Sequence, residues 1–177
     1  MDDVRASLSK RLAGTVIGDP AVEGVRMGPL AGRAQVGEVR KAVEAISQDA
    51  ELVFGALDAL QVTGANAAKG AFFPILLFAS SDPVARTAPH DVEAFGPVNT
   101  LMPYRSVDEA IALARRGRGS LVGSVFTGDD AVARAVALGT AAHHGRLLLA
   151  NRHTARESTG HGSPMPNLVH GGPGRAG

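Results

Sequence analysis

The sequence predicts an α/β protein in which an open parallel sheet carries helices on both faces, giving three layers. The first observation is a continuous apolar run, Phe72 to Phe78, whose length suits a strand covered on both sides. The second is a regular alternation of strand-like and helix-like patterns from Val98 to Ala150, which is typical of βαβ units. Crossovers between parallel strands are nearly always right-handed, so two successive units place helices on the faces of the sheet.

Two amphipathic helices are predicted in the first half of the chain. Val4, Leu8 and Leu12 recur at helical spacing over residues 2–12. Residues 34–47 carry a second apolar stripe, with charged side chains on the opposite side. Both patterns predict helices that bury one face.

Short strands and irregular connections are expected in the rest of that half. Pro74 interrupts the apolar run and favours an edge position or a bulge, because proline has no amide hydrogen to donate. The other segments are, in order, a Gly- and Pro-rich connection at 14–32, a strand at 51–55, a loop or poor helix at 56–70 and a polar loop at 80–90.

The second half has the clearer pattern. Ser106 and Glu109 have the spacing of a capping box at a helix start. Asp129 and Asp130 suit the positive end of the next helix dipole. The predicted elements are strands at 98–104, 120–127 and 146–150, helices at 106–116 and 129–143, and a long Gly- and Pro-rich loop at 152–177.

Composition excludes several classes of function. The chain has 177 residues, a length typical of one domain, and its net charge of +1 gives no basic surface for nucleic acid. It contains no cysteine, which excludes disulfides, zinc–thiolate sites and a cysteine nucleophile. The longest apolar run, residues 71–79, is too short to span a membrane, and the acidic start is unlike a secretory signal. We therefore expect a cytoplasmic location, and both ends have the character of an excised segment.

The stretch EAFGPV, residues 93–98, carries the best candidate for chemistry. A carboxylate such as Glu93 can accept two hydrogen bonds from a vicinal diol, and a ring such as Phe95 can pack on a flat heterocycle. Gly96 permits close approach to another surface, and Pro97 suits the first position of a strand. Taken alone, the pair fits a solvated glutamate beside a core phenylalanine better than a ligand site.

Other candidate sites are weaker. Gly172 to Gly177 has the form G-x-G-x-x-G, but no strand precedes it and Pro173 removes an amide donor, so we reject a dinucleotide fingerprint. His153 and Glu157 are four residues apart without a third ligand, so no metal site is predicted. Ligands of open parallel sheets bind at the carboxyl ends of strands, which favours Thr127 and Asn151.

Four segments resemble the aldehyde dehydrogenase superfamily, in the order and spacing of its catalytic domain. They are GDPAVEGVRMGPLAG at 18–32, GAFFPILL at 70–77, EAFGPV at 93–98 and SVDEAIALARRGRGSLVGSVFTGD at 106–129. The resemblance implies that residues 1–177 are the C-terminal part of that domain. The nucleophilic cysteine, the general-base glutamate and the dinucleotide-binding domain would then lie upstream of Met1, and the chain alone would be inactive.

The resemblance also implies roles for individual residues. Glu93 would contact the ribose of the nicotinamide, Phe95 would lie beside the nicotinamide, and Gln35 would approach the adenosine ribose. Glu38 stands where the family often has a lysine. A substrate-side loop would contain Asn151, His161, His170 and Gly171. The cofactor would be NADP or NAD, bound mainly by the absent upstream domain.

The tail at 157–177 is similar to one subgroup of the superfamily. His170-Gly171-Gly172 stands where most members have Pro-Phe-Gly-Gly. The subgroup comprises dehydrogenases of phenylacetate catabolism that are fused to an enoyl-CoA-hydratase-like domain, with semialdehyde dehydrogenases of benzoyl-CoA degradation as the near alternative. It implies a CoA-linked aldehyde substrate and a homo-oligomeric full-length protein. A stand-alone, non-enzymatic α/β binding or assembly module is the alternative from another class.

Overall fold

The computed structural model describes residues 1–157 and 171–176, which form two compact units, Met1–Pro103 and Tyr104–Gly177. Each unit combines helices with parallel strand pairing, so the predicted α/β class is confirmed. The hydrogen-bonded strands belong to two sheets, one of three strands in the first unit and one of two in the second.

The first unit is built around a mixed sheet of order β1-β2-β3. Its elements are α1 (Asp2–Ala13), α2 (Arg33–Ile46), β1 (Glu51–Phe54), β2 (Leu76–Ala79), α3 (Ala88–Asp91) and β3 (Val98–Leu101). β2 and β3 are parallel, as predicted, whereas β1 runs antiparallel to β2. The residues between β1 and β2 form turns and no helix, so they lack the covering helix that a parallel crossover usually has.

The core of this unit lies between α2 and β2. Val39, Val43 and Ile46 recur along one side of α2 and are buried against the segment that contains Phe73, together with Leu76 of the strand. The predicted apolar stripe of α2 is therefore confirmed. Each of these side chains that leaves water contributes about 1.5–3 kcal/mol.

Two expectations for the first unit need correction. Residues 72–75 are buried as predicted, but the strand begins only at Leu76, after Pro74, which has no amide hydrogen for the sheet. The helix over 2–12 is present as α1, yet none of its residues is buried, and Val4 is 51% exposed. Leu8 and Leu12 are only partly buried, so α1 buries less of its apolar face than the pattern predicted.

The second unit contains a parallel strand pair joined by a helix. Its elements are α4 (Val107–Arg116), β4 (Ser120–Phe126), α5 (Asp130–Thr140), β5 (His144–Ala150) and α6 (Thr154–Glu157), with a short 3-10 turn at Ala141–His143. β4, α5 and β5 form one of the two predicted βαβ units. The other predicted unit joins β3 to β4 through α4. Among the described residues, β3 pairs with β2 and β4 pairs with β5, so β3 and β4 are not hydrogen-bonded to each other.

Local capping signals placed two helix starts correctly. The Ser106 hydroxyl accepts a hydrogen bond from the Glu109 amide at 3.1 Å. The Asp129 carboxylate accepts from the amides of Ala131 at 2.8 Å and Val132 at 3.1 Å. In the described ranges, no helix combines the length and apolarity needed to cross a membrane.

Candidate functional site

The loop from Val92 to Pro97 alternates buried and exposed side chains. Val92 and Ala94 pack against the core of the first unit. Glu93, between them, is exposed, and the Phe95 ring is 68% exposed. The Phe95 ring therefore stands at the surface of a loop whose neighbouring side chains pack against the core.

Helix α2 lies directly beneath this loop. The Gln35 side chain donates from Nε2 to the Phe95 carbonyl at 2.5 Å and accepts at Oε1 from the Ala31 amide at 3.0 Å. A Cβ placed on Gly96 would lie 2.9 Å and 3.0 Å from the two methyl carbons of Val39. The prediction that Gly96 permits a close approach is therefore confirmed.

The carboxyl end of the loop leads straight into the sheet. Pro97 immediately precedes β3, and its carbonyl accepts from the Leu76 amide at 2.9 Å. The Gly96 amide donates to the Ala94 carbonyl at 2.7 Å, and the Val98 amide donates to the Gly96 carbonyl at 2.8 Å. The predicted position of Pro97 at the start of a strand is confirmed, and two tight turns fix the loop.

The segment that leads into the loop is anchored by Asp49, a residue that no sequence pattern singled out. Its carboxylate accepts from the amides of Ala88 at 2.9 Å and Thr87 at 3.0 Å, and Arg86 lies 3.4 Å away. These amide hydrogen bonds, followed by the Arg86 charge, hold the pKa of Asp49 below its ordinary value. Buried His90 adds a contact of 2.8 Å from Nε2 to the Pro83 carbonyl.

A cavity of about 360 Å³ adjoins the same loop. It lies between residues 26–30 and the Gly96–Pro97 step, with Phe73 also in its wall. Arg26 is the charged residue of this lining. The first unit thus presents a carboxylate and a ring from a fixed loop, next to a concave surface.

A second cavity, of about 530 Å³, lies in the second unit at the carboxyl ends of β4 and β5. Thr127 and Asn151 both line it, as the rule for parallel sheets predicted. Arg152 and His153 are exposed and line it too, and the Phe126 ring is 69% exposed. This cavity therefore combines an apolar ring with cationic and polar groups.

Asn151 shapes the turn that follows β5. Its side-chain oxygen accepts from the amides of His153 at 2.9 Å and Thr154 at 3.1 Å, and its own amide donates to the Thr154 hydroxyl at 2.9 Å. This arrangement caps α6, so part of the segment expected to be loop is helical.

Gly171, which was also expected in the substrate-side loop, does not lie beside Asn151. Gly171 lies against Gly145 near the start of β5, since a Cβ on Gly145 would be 2.6 Å from the Gly171 carbonyl. The strand has seven residues, so this end is roughly 20 Å from the cavity. His161 and His170 lie outside the described residues. Residues 174–176 form a 3-10 turn.

A histidine pair stands at the junction of α5 and β5. His144 Nδ1 is hydrogen-bonded to the Ser120 hydroxyl at the start of β4. Burial, followed by the neighbouring charge of His143, lowers the pKa of His144. Across residues 1–157 and 171–176, no three acidic, histidine or cysteine side chains are grouped to hold a metal ion, and both His153 and Glu157 are exposed.

The family of this chain follows from comparison with known proteins. The model of the aldehyde dehydrogenase family matches residues 1–162. The chain belongs to that family. Among solved structures it is similar to aldehyde dehydrogenase C of Pseudomonas syringae, determined with NAD+ and octanal. The TM-score is 0.74 at 30% identity over 99% of this chain.

Two curated relatives have a higher sequence identity to this chain than that structure has. The chain is 42% identical over 168 residues to a 3,4-dehydroadipyl-CoA semialdehyde dehydrogenase of Aromatoleum evansii, covering 94% of this chain and 32% of that protein. It is 56% identical over 110 residues to protein MaoC of Klebsiella aerogenes, covering 62% of this chain and 33% of that protein. The chain thus spans about a third of the length of the curated relatives it matches.

Proposed function

We propose that this chain forms the C-terminal part of the catalytic domain of an NAD- or NADP-dependent aldehyde dehydrogenase that oxidises a CoA-linked semialdehyde to the acid in aromatic catabolism. The observation that carries the proposal is the exposed pair Glu93 and Phe95 on a core-anchored loop, in a member of this family. The relative with 42% identity is named for a CoA semialdehyde, which supports the substrate class.

The residues of the first unit fit a nicotinamide nucleotide. Exposed Glu93 offers two carboxylate oxygens to the two hydroxyls of a ribose, and Phe95 offers a flat apolar face to the base. A bound nicotinamide cofactor would supply the hydride acceptor for the oxidation. The part of this chain is to orient the ribose and the base and to exclude water from their contact.

The proposal assigns the bond-making steps to residues outside this sequence. The chain has no cysteine, so the proposal places the thiolate that attacks the aldehyde in a part of the longer protein outside this sequence. In the second unit, the cavity at the strand ends would receive the aldehyde side of the substrate, with Asn151 shaping its wall.

The finer assignments concern the subgroup. The choice of subgroup rests on the resemblance of the tail at 157–177, and the relative named for a CoA semialdehyde supports a CoA-linked substrate. We propose the phenylacetate subgroup, with a hydratase-like domain on the same polypeptide and a homo-oligomeric assembly.

The test compares this chain with the longer protein that contains it. We expect the longer protein to reduce NADP or NAD with a CoA-linked semialdehyde, and to prefer that substrate to the same aldehyde without CoA. Absorbance of the reduced cofactor at 340 nm measures both rates, and the 177-residue chain should show no turnover.

Three results would contradict parts of this proposal. Turnover by the 177-residue chain would refute the assignment of the nucleophile to other residues. Equal rates with and without CoA would refute the substrate class. A gene that encodes only these residues would favour the non-enzymatic module.

A further inference from the structure

Gln35 is well placed to fix the Glu93–Phe95 loop rather than to bind a ligand itself. Its Nε2 donates to the Phe95 carbonyl and its Oε1 accepts from the Ala31 amide, so the two ends of the amide are both used by backbone groups. One contact reaches 60 residues along the chain. The side chain therefore bridges two loops across the start of α2.

The neighbouring turn of α2 supports the same loop by packing. Val39 is 1% exposed and its methyl carbons lie directly beneath Gly96. Gln35 and Val39 are four residues apart on the helix, so they share one face. Gln35 donates a hydrogen bond to the Phe95 carbonyl, and Val39 limits how closely Gly96 can approach the helix.

We propose that Gln35 is a positioning residue, which holds the Phe95 backbone so that the ring and Glu93 meet a nucleotide, and that it makes no direct cofactor contact. This inference rests on the proposed function. It replaces the adenosine-ribose contact that the family resemblance implied for Gln35. Its physical basis is that each end of the side-chain amide makes a hydrogen bond to the backbone, which fixes the orientation of Gln35, while the Phe95 ring stays exposed.

The first experiment measures the loop without any cofactor. Gln35→Glu keeps an acceptor for the Ala31 amide but removes the donor to the Phe95 carbonyl. We expect the amides of Gly96 and Val98 to exchange with deuterium about three- to tenfold faster, since one net hydrogen bond is lost. Amides of β2 should keep their protection, which shows that the core remains folded.

A matched control makes the same chemical change elsewhere. Gln48→Glu alters an exposed glutamine just beyond α2, whose Nε2 is 3.4 Å from the Glu44 carbonyl. It should leave exchange in residues 92–98 unchanged. If Gln35→Glu unfolds the unit, Gln35→Met removes the bond to Phe95, together with the bond from Ala31, without adding a charge. Unchanged loop exchange in a folded Gln35 variant overturns the proposal.

The second experiment uses the longer dehydrogenase and a mutant cycle in which Glu93 and Phe95 are treated as one unit. Cofactor Kd is measured for Gln35→Glu, for Glu93→Gln combined with Phe95→Ala, and for all three substitutions together. If Gln35 acts only through this loop, the triple variant binds no more weakly than the variant with Glu93→Gln and Phe95→Ala. Multiplying effects mean a direct contact from Gln35 and overturn the proposal. If the parent binds no nicotinamide cofactor, the proposed function fails, while the exchange result still decides the positioning role.

Discussion

Replacing Gly96 by alanine tests whether the loop is held as closely to α2 as the structure shows. The added Cβ would lie 2.9 Å and 3.0 Å from the methyl carbons of Val39. Carbon atoms attract best at about 3.5–4.0 Å, so one side must move by roughly half an ångström or more. Val39 is 1% exposed and belongs to the core cluster, which leaves it little room to yield.

The expected cost follows from overpacking. Forcing one carbon into a close-packed core typically costs about 1–3 kcal/mol. Val39→Ala should itself cost about 2 kcal/mol, because it removes two buried carbons and leaves a small cavity. In the double variant the smaller alanine makes room for the new Cβ. We therefore expect a cost near that of Val39→Ala alone, instead of the sum of about 3–5 kcal/mol.

Native-state hydrogen exchange provides the assay. The amides of β2, at the centre of the three-stranded sheet, report the opening free energy of the first unit and do not require the whole chain to unfold in one step. Gly37→Ala is the control in the same helix, since nothing lies within 4 Å of its Cβ position. It should raise stability by about 0.5–1 kcal/mol, because alanine is the better helix former.

Two results would refute this reasoning. One is a Gly96→Ala variant as stable as the parent chain, which would mean that the loop stands away from the helix. The other is strict additivity in the double variant, which would mean that the alanine cost arises somewhere other than at Val39.

Three further predictions concern helix caps and pH. Ser106→Ala should lower stability by about 1 kcal/mol in urea unfolding, because the cap to Glu109 is lost. The pKa of Asp49 is lowered in the folded chain, so the stability that its charged carboxylate contributes should be lost as the pH falls below about 4. Asp49→Asn should reduce this acid-dependent loss of stability. The pKa of His144 is lowered by burial, so the unfolded chain binds its proton more readily. Stability should therefore decrease as the pH drops below about 6.5. The decrease should be smaller in His144→Gln, as measured by urea unfolding at pH 5.5 and 7.5.

Local signals predicted local structure well. The caps at Ser106 and Asp129 use hydrogen bonds within three residues, and both helices begin where the capping patterns indicated. Pro74 marked the interruption of the apolar run for a reason that is also local. Pairing was harder, because the antiparallel β1 and the separate partners of β3 and β4 depend on residues far away in sequence. Apolarity at 72–75 predicted burial correctly but could not tell strand from buried loop.

The candidate site was predictable only in part, and the reason is physical. Glu93 and Phe95 were singled out through a resemblance, because an exposed glutamate and phenylalanine form no pattern of their own. The residues that hold them, Gln35 and Asp49, act across 60 and about 40 residues, and no periodicity links such positions. Sequence therefore indicated which groups are candidates for contact with a ligand, while the structure was needed to find what supports them.

The loop is held by its backbone and by its small side chains, which explains why the Phe95 ring can remain 68% exposed without weakening the fold. Val92 and Ala94, on either side of Glu93, pack against the core, and the Phe95 backbone is bonded to Gln35 while its ring contributes little to burial. Phe95→Ala should consequently change the stability of the unit by less than about 0.5 kcal/mol, as surface substitutions do. A loss above about 2 kcal/mol in the same exchange assay would show that the ring serves the core. The ring would then no longer be free to meet a nucleotide.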